Sequence, residues 1–165
     1  MKEKGFTLVE VLVVVAVLGV FLLVAYPNIK SSLEVRNLDN QARSILGTFQ
    51  QAKFQAVRTK LNHRVKFDNS PGYWTYYLEQ QVSAGVWQAV PNTGRKSISS
   101  KYVTTVNLPN NIIEFTPLGM PERLTYSTTQ HDITLQSPTL ARQSQPSRRV
   151  VNIFAGGSIQ YVKMT

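Results

Sequence analysis

Hydrophobic positions divide this chain into three regimes. From Phe6 to Tyr26 nearly every residue is Val, Leu, Ala or Phe, and Glu10 is the one ionisable side chain. At about 1.5 Å of rise per residue the run makes a helix of about 30 Å, the hydrocarbon thickness of a bilayer, which predicts a single membrane span over residues 6–27. After Pro27 the pattern becomes periodic. Leu38, Ala42, Ile45, Phe49, Ala52 and Ala56 recur at alternating steps of four and three, while Arg36, Arg43, Gln50 and Arg58 fall off that line. This is one apolar stripe of a helix over residues 28–60, half buried and half wet. Pro27 removes one helical hydrogen bond and permits a bend between the two halves.

Beyond residue 60 the period shortens and turn residues appear. Arg64-Val65-Lys66-Phe67-Asp68 alternates and suits a half-buried strand; Asn69-Ser70-Pro71-Gly72 follows as a turn. Tyr73–Gln81 and Val86–Val90, joined through Ser83-Ala84-Gly85, read as a hairpin, with Trp74 and Trp87 as packing residues. Tyr102–Leu108, Ile112–Phe115, Ile133–Leu135 and Arg149–Ile153 are further strands, and Pro138–Pro146 is a polar connector expected to be an exposed, mobile loop. The apolar helix stripe requires something to pack on, and these strands supply it.

Composition narrows the chemistry. With no cysteine among 165 residues, disulfides, thiolate catalysis and cysteine metal sites are excluded. His63 and His131 are far apart and show no metal-ligand spacing; the seven acidic residues beyond Pro27 are scattered and offer no pair for acid–base work. Gly94-Arg95-Lys96-Ser97 lacks the spacing of a phosphate-binding loop, and Gly156-Gly157-Ser158-Ile159-Gln160 lacks the final glycine of a nucleophile elbow. No catalytic residue, cofactor or metal is expected. The net charge is +9, and residues 140–165 contain no acidic residue. Arg142, Arg148 and Arg149, with Arg95, Lys96 and Lys101, are therefore candidate anion or nucleic-acid contacts, weighed against a plain solvated basic face. Aromatic residues are not interleaved with these charges as stacking on single strands would require, which favours the solvated face.

A carboxylate inside an apolar helix needs a reason, since it is costly unless neutral, interfacial or partnered. A secretory signal would be cut after its apolar core at a small-x-small site, and Val24-Ala25-Tyr26-Pro27 is a poor one. Instead, Lys2, Lys4 and Gly5-Phe6-Thr7-Leu8 followed by Glu10 resemble the prepilin signature of type IV pilins and type II secretion pseudopilins. That resemblance implies cleavage between Gly5 and Phe6 by a prepilin peptidase and methylation of the Phe6 amine. It also implies pairing of Glu10 with such an amine on a neighbouring subunit, and it accounts for Pro27. Removing residues 1–5 leaves the charge at +8.

A second resemblance lies in the last third of the chain. Phe115-Thr116-Pro117-Leu118-Gly119, the strands after it and the Gly156-Gly157 turn are similar to the GspH/FimT group of minor pseudopilins and pilins. That group often has Gly-Arg after the final turn; here Gly157 is followed by Ser158, which removes the arginine a nucleic-acid role at that tip would use. The implied fold class is α+β and pilin-like: a long N-terminal helix, membrane-spanning in its first half, packed on an antiparallel β-sheet domain. The expected divisions are a leader (1–5), a membrane and filament-core helix (6–27), an amphipathic helix (28–60) and a β-rich domain (61–165). The implied function is that of a minor pseudopilin of a type II secretion system, a non-enzymatic subunit held in the inner membrane with its globular domain in the periplasm. Its partners would be other pilins or pseudopilins in a filament and the prepilin peptidase. The alternatives are a minor pilin of a type IV pilus, with DNA binding for uptake as a less favoured addition, and a simple membrane-anchored periplasmic binding domain.

Overall fold

The computed structural model describes residues 7–70, 72–122 and 131–164, with the side chains of residues 23–28 left aside. One helix, α1, runs from Leu8 to Thr59 and continues through Pro27. Two compact units divide at Arg36, so that the helix from Asn37 onward belongs to the same unit as the strands. The helix stops where Lys60 adopts a left-handed backbone (φ 60°) while its N–H still bonds the Ala56 carbonyl at 3.1 Å. That is the geometry of a helix C-terminus closed by a single reversed residue.

The amphipathic stripe is the core of the second unit. Leu38, Ala42, Ile45, Phe49, Ala52 and Ala56 are all 0% exposed. Among the described residues the strands of the antiparallel domain form two sheets. The first contains β1 (His63–Asp68), β2 (Thr75–Ser83), β3 (Val86–Ala89), β4 (Lys96–Ser97) and β6 (Ile112–Phe115), in the order β3-β2-β1-β6 with β4 also on β2. The second contains β5 (Val103–Asn107), β7 (His131–Gln136), β8 (Arg148–Ile153) and β9 (Ile159–Met164), in the order β5-β7-β8-β9.

Alternation decides which side chains meet the helix. In the first sheet Phe67 packs edge-on against Phe49 (5.9 Å between centroids) and stacks on Tyr76 (5.5 Å), whose hydroxyl donates to Ser44 Oγ at 2.9 Å. In the second sheet Arg149, Val151 and Ile153 share a face, all buried, and register places Lys163, Tyr161 and Ile159 of β9 beside them.

The two glycine turns noted in the sequence meet. Gly119 (φ 76°) and Gly157 (φ 78°) both require a backbone that side chains rarely adopt, and a Cβ on Gly157 would lie 2.5 Å from the Gly119 carbonyl oxygen. Lys53 Nζ, from the helix, donates to the Gly157 carbonyl at 2.9 Å. One close approach thus joins the end of the first sheet, the end of the second and the last turns of α1.

Pro138–Pro146 departs from its expected mobile loop. Ser137 caps α2 (Pro138–Arg142) by accepting from the Leu140 N–H at 3.4 Å, and Leu140 is fully buried. A single apolar residue gives no period to read, so its anchoring role was not visible in the pattern.

Candidate functional site

Glu10 lies in the first turn of α1, exposed, with its N–H bonded to the Thr7 carbonyl (3.1 Å) and Thr7 Oγ1 (3.3 Å). Thr7 therefore acts as the N-terminal cap, and a carboxylate in the first turn is favourably placed against the helix dipole. Around Glu10 the apolar residues from Leu8 to Leu22 are exposed on every side of the helix; Leu8 is 77% exposed and Leu22 69%. A helix apolar all round and uncovered is a surface for lipid or for other helices. Among the described residues, no helix is long and apolar enough to cross a membrane. The expected span over 6–27 reaches outside the described residues, as do Gly5 and Phe6; Pro27 lies within the helical backbone.

The basic candidates separate. Arg142, in the last turn of α2, and Arg148, at the start of β8, are exposed. Arg149 is not a surface contact: its side chain is 1% exposed, and its Nε donates to Asp39 Oδ1 at 2.5 Å. Its Nη1 donates to the carbonyls of Pro146 (2.9 Å) and Arg148 (3.0 Å). The expectation that it contacts an anion on another molecule is overturned by this burial. Tyr161 Oη (2.8 Å) and Lys163 Nζ (2.8 Å) also donate to Asp39, and the Arg43 guanidinium lies 5.1 Å over the Tyr161 ring. Partial burial alone would raise the Asp39 pKa; hydrogen bonds from Lys163, Arg149 and Tyr161 outweigh it and hold the carboxyl at about 2. Burial and the Asp39 charge push the Tyr161 hydroxyl up to about 12.

Arg95 pairs with Asp68 at 3.4 Å and covers Tyr77, while Lys96 donates to Thr48 Oγ1 at 3.0 Å. Lys101 sits 4.9 Å over Tyr102. Each of these cations is thus engaged within the chain. The Gly94–Ser97 stretch runs into β4, not into a helix, in keeping with its lack of phosphate-loop spacing.

Sequence spacing missed one carboxylate pair. Asn62 Nδ2 donates to Glu114 Oε1 (2.9 Å) and Glu122 Oε2 (3.2 Å) in a cleft of about 330 Å³ also lined by Arg64, Trp87 and Ile112. Burial, reinforced by Glu122, raises the Glu114 pKa. Pairing of β1 with β6 brings Glu114 beside Arg64, and the Phe115–Pro121 bridge returns Glu122; neither is visible as spacing. Arg64 is held by Glu79 at 2.6 Å and stacked 4.1 Å over Trp87, and no Ser, His or Tyr lines the cleft among the described residues. His63 is buried with Nδ1 3.0 Å from the Leu61 carbonyl, and burial lowers its pKa. Among the described residues no three His, Asp or Glu side chains gather to hold a metal.

Comparison with known proteins agrees with the signature and the fold. Residues 1–26 match the prokaryotic N-terminal methylation motif. The fold is similar to that of the Pseudomonas aeruginosa type IV minor pilin FimU, with a TM-score of 0.57 and 16% identity over 78% of this chain and 90% of that one. Sequence comparison with curated proteins finds no match. The chain therefore joins a methylation motif at its N-terminus to an α+β fold, a long helix packed on antiparallel sheet, that is similar to the fold of a type IV minor pilin.

Proposed function

We propose that this chain is a minor subunit of an inner-membrane-anchored filament, a structural protein and not an enzyme. The observation that carries the reading is the methylation motif of residues 1–26 set on a helix whose apolar side chains from Leu8 to Leu22 are exposed all round. On this reading a prepilin peptidase cuts before Phe6, the helix over 6–27 holds the subunit in the inner membrane, and the unit from Asn37 faces the periplasm. The helix then leaves lipid for a bundle of similar helices. Inside such a bundle the Glu10 carboxylate loses its water and requires a cation, which the Phe6 amine of a neighbour supplies.

The finer reading is a pseudopilus of a type II secretion system, supported by the Phe-x-Pro-x-Gly turn and the Gly156-Gly157 turn that packs on it. The fold likeness to FimU supports a second reading, a minor pilin of a type IV pilus. DNA capture is not favoured in either, because Arg149 is spent on Asp39, which leaves Arg142 and Arg148 as the exposed members of the three candidate arginines. Glu10→Ala tests assembly: the variant should insert and fold as before, while its share in the sheared filament fraction drops about tenfold. Undiminished incorporation would contradict the pairing role.

A further inference from the structure

The approach of the Gly119 and Gly157 turns leaves a set of large apolar side chains uncovered. Phe54 (62% exposed), Val57, Leu118 (81%), Met120 and Phe154 stand in water. They are neighbours: a Cβ on Gly119 would lie 3.2 Å from Val57 Cγ2, Leu118 and Met120 flank that glycine, and the Phe154 carbonyl accepts from the Gly157 N–H at 2.8 Å. Phe54 and Val57 are one helical turn apart on the same side of α1. Exposed apolar groups gathered in this way mark an interaction surface.

We propose that this surface docks a different protein, one that presents an apolar side chain flanked by carboxylates. The charges select that occupant. The three segments that build the surface, residues 50–61, 115–121 and 153–160, contain Lys53, Arg58 and Lys60 and no acidic residue. A second copy in a symmetric contact would set these cations against one another, and like charges juxtaposed cost several kcal/mol. An anionic bilayer would match the charge, but the geometry of the two turns favours protein. Both turns are fixed by their own hydrogen bonds: Thr116 N–H to Met120 O (2.9 Å), Gly119 N–H to Thr116 O (2.8 Å) and Phe154 N–H to Ser158 O (2.9 Å). A rigid surface of this kind suits a complementary rigid partner.

The test places a photo-crosslinking residue at Leu118 of the full chain in its native host, with Val86 on β3 as the control site. Irradiation should give, from Leu118 and not from Val86, an adduct whose cross-linked peptide carries Asp or Glu beside an apolar residue. Arg58→Glu should cut the adduct about tenfold, and replacing the partner's carboxylates with lysine should restore it. An adduct with a second copy or with lipid, no adduct from Leu118, or indifference to Arg58→Glu overturns the proposal. The same spectra report the mature N-terminus, so a chain that begins at Phe6 yet gives no protein adduct counts against the surface alone and leaves the filament reading standing.

Discussion

Residues 8–22 and 38–56 of α1 are both helical and both carry many apolar side chains, yet those of the first are exposed and the stripe of the second is buried. Residues 8–22 have apolar side chains on all faces, exposed; from Leu38 to Ala56 a single stripe is apolar and every member is 0% exposed. The difference lies in what the sequence puts between the apolar residues. Arg36, Asp39, Arg43, Ser44, Thr48 and Lys53 break the second stretch into a stripe and then contact the sheets through Asp39, Arg43, Ser44, Thr48 and Lys53. Residues 8–22 offer no ionisable side chain besides Glu10. A uniformly apolar helix awaits partners of its own kind; an amphipathic one is completed by its own sheets.

Alanine substitutions in the two stretches should therefore have opposite consequences. Phe49→Ala removes a fully buried ring that packs on Phe67 and should lower unfolding free energy by about 3–5 kcal/mol. Phe21→Ala, 66% exposed, should change it by less than about 0.5 kcal/mol. Urea denaturation of the detergent-solubilised chain, followed by Trp74 and Trp87 fluorescence, reads both. Equal effects would break the comparison.

The polar contacts of the second stretch come next in size. Asp39→Ala leaves the Arg149 guanidinium buried without its carboxylate and should cost about 3 kcal/mol. The pH dependence has a defined sign. A carboxyl held at about 2, below its ordinary 3.8, stabilises the fold above pH 3.8 and loses that contribution as pH falls through about 2. Tyr161, raised to about 12, contributes below pH 10 and loses its share as pH rises through about 12. Urea midpoints between pH 5 and 2 should fall in the native chain by an amount equivalent to about 2 kcal/mol, and fall less in Asp39→Ala. Of similar size, Gly157→Ala sets a Cβ against the Gly119 carbonyl at a left-handed position and should cost about 1–3 kcal/mol, read by the same denaturation. Gly85→Ala, at a left-handed position (φ 75°) with nothing within 4 Å, separates backbone strain from the clash.

Much of the fold is legible because period and burial coincide: the stripe from Leu38 to Ala56 names the core helix without reference to any sheet. Three features are not legible, each because it joins distant segments. Arg149 reads as one of a basic cluster, yet strand alternation puts it on the face of Val151 and Ile153, opposite an aspartate at position 39. A guanidinium on a buried strand face requires a carboxylate partner, which Asp39 supplies. Glu114 and Glu122 become a pair only through strand register and the return at Pro121. The apolar surface around Gly119 and Gly157 is assembled from three segments, none apolar enough alone to draw notice.

The central claim is that this helix is processed for assembly, and the mature N-terminus tests it most directly. Intact-mass and N-terminal peptide analysis of the membrane fraction should find a chain that begins at Phe6 with one added methyl on its amine. An intact Met1, or a chain that begins beyond Tyr26, would contradict it.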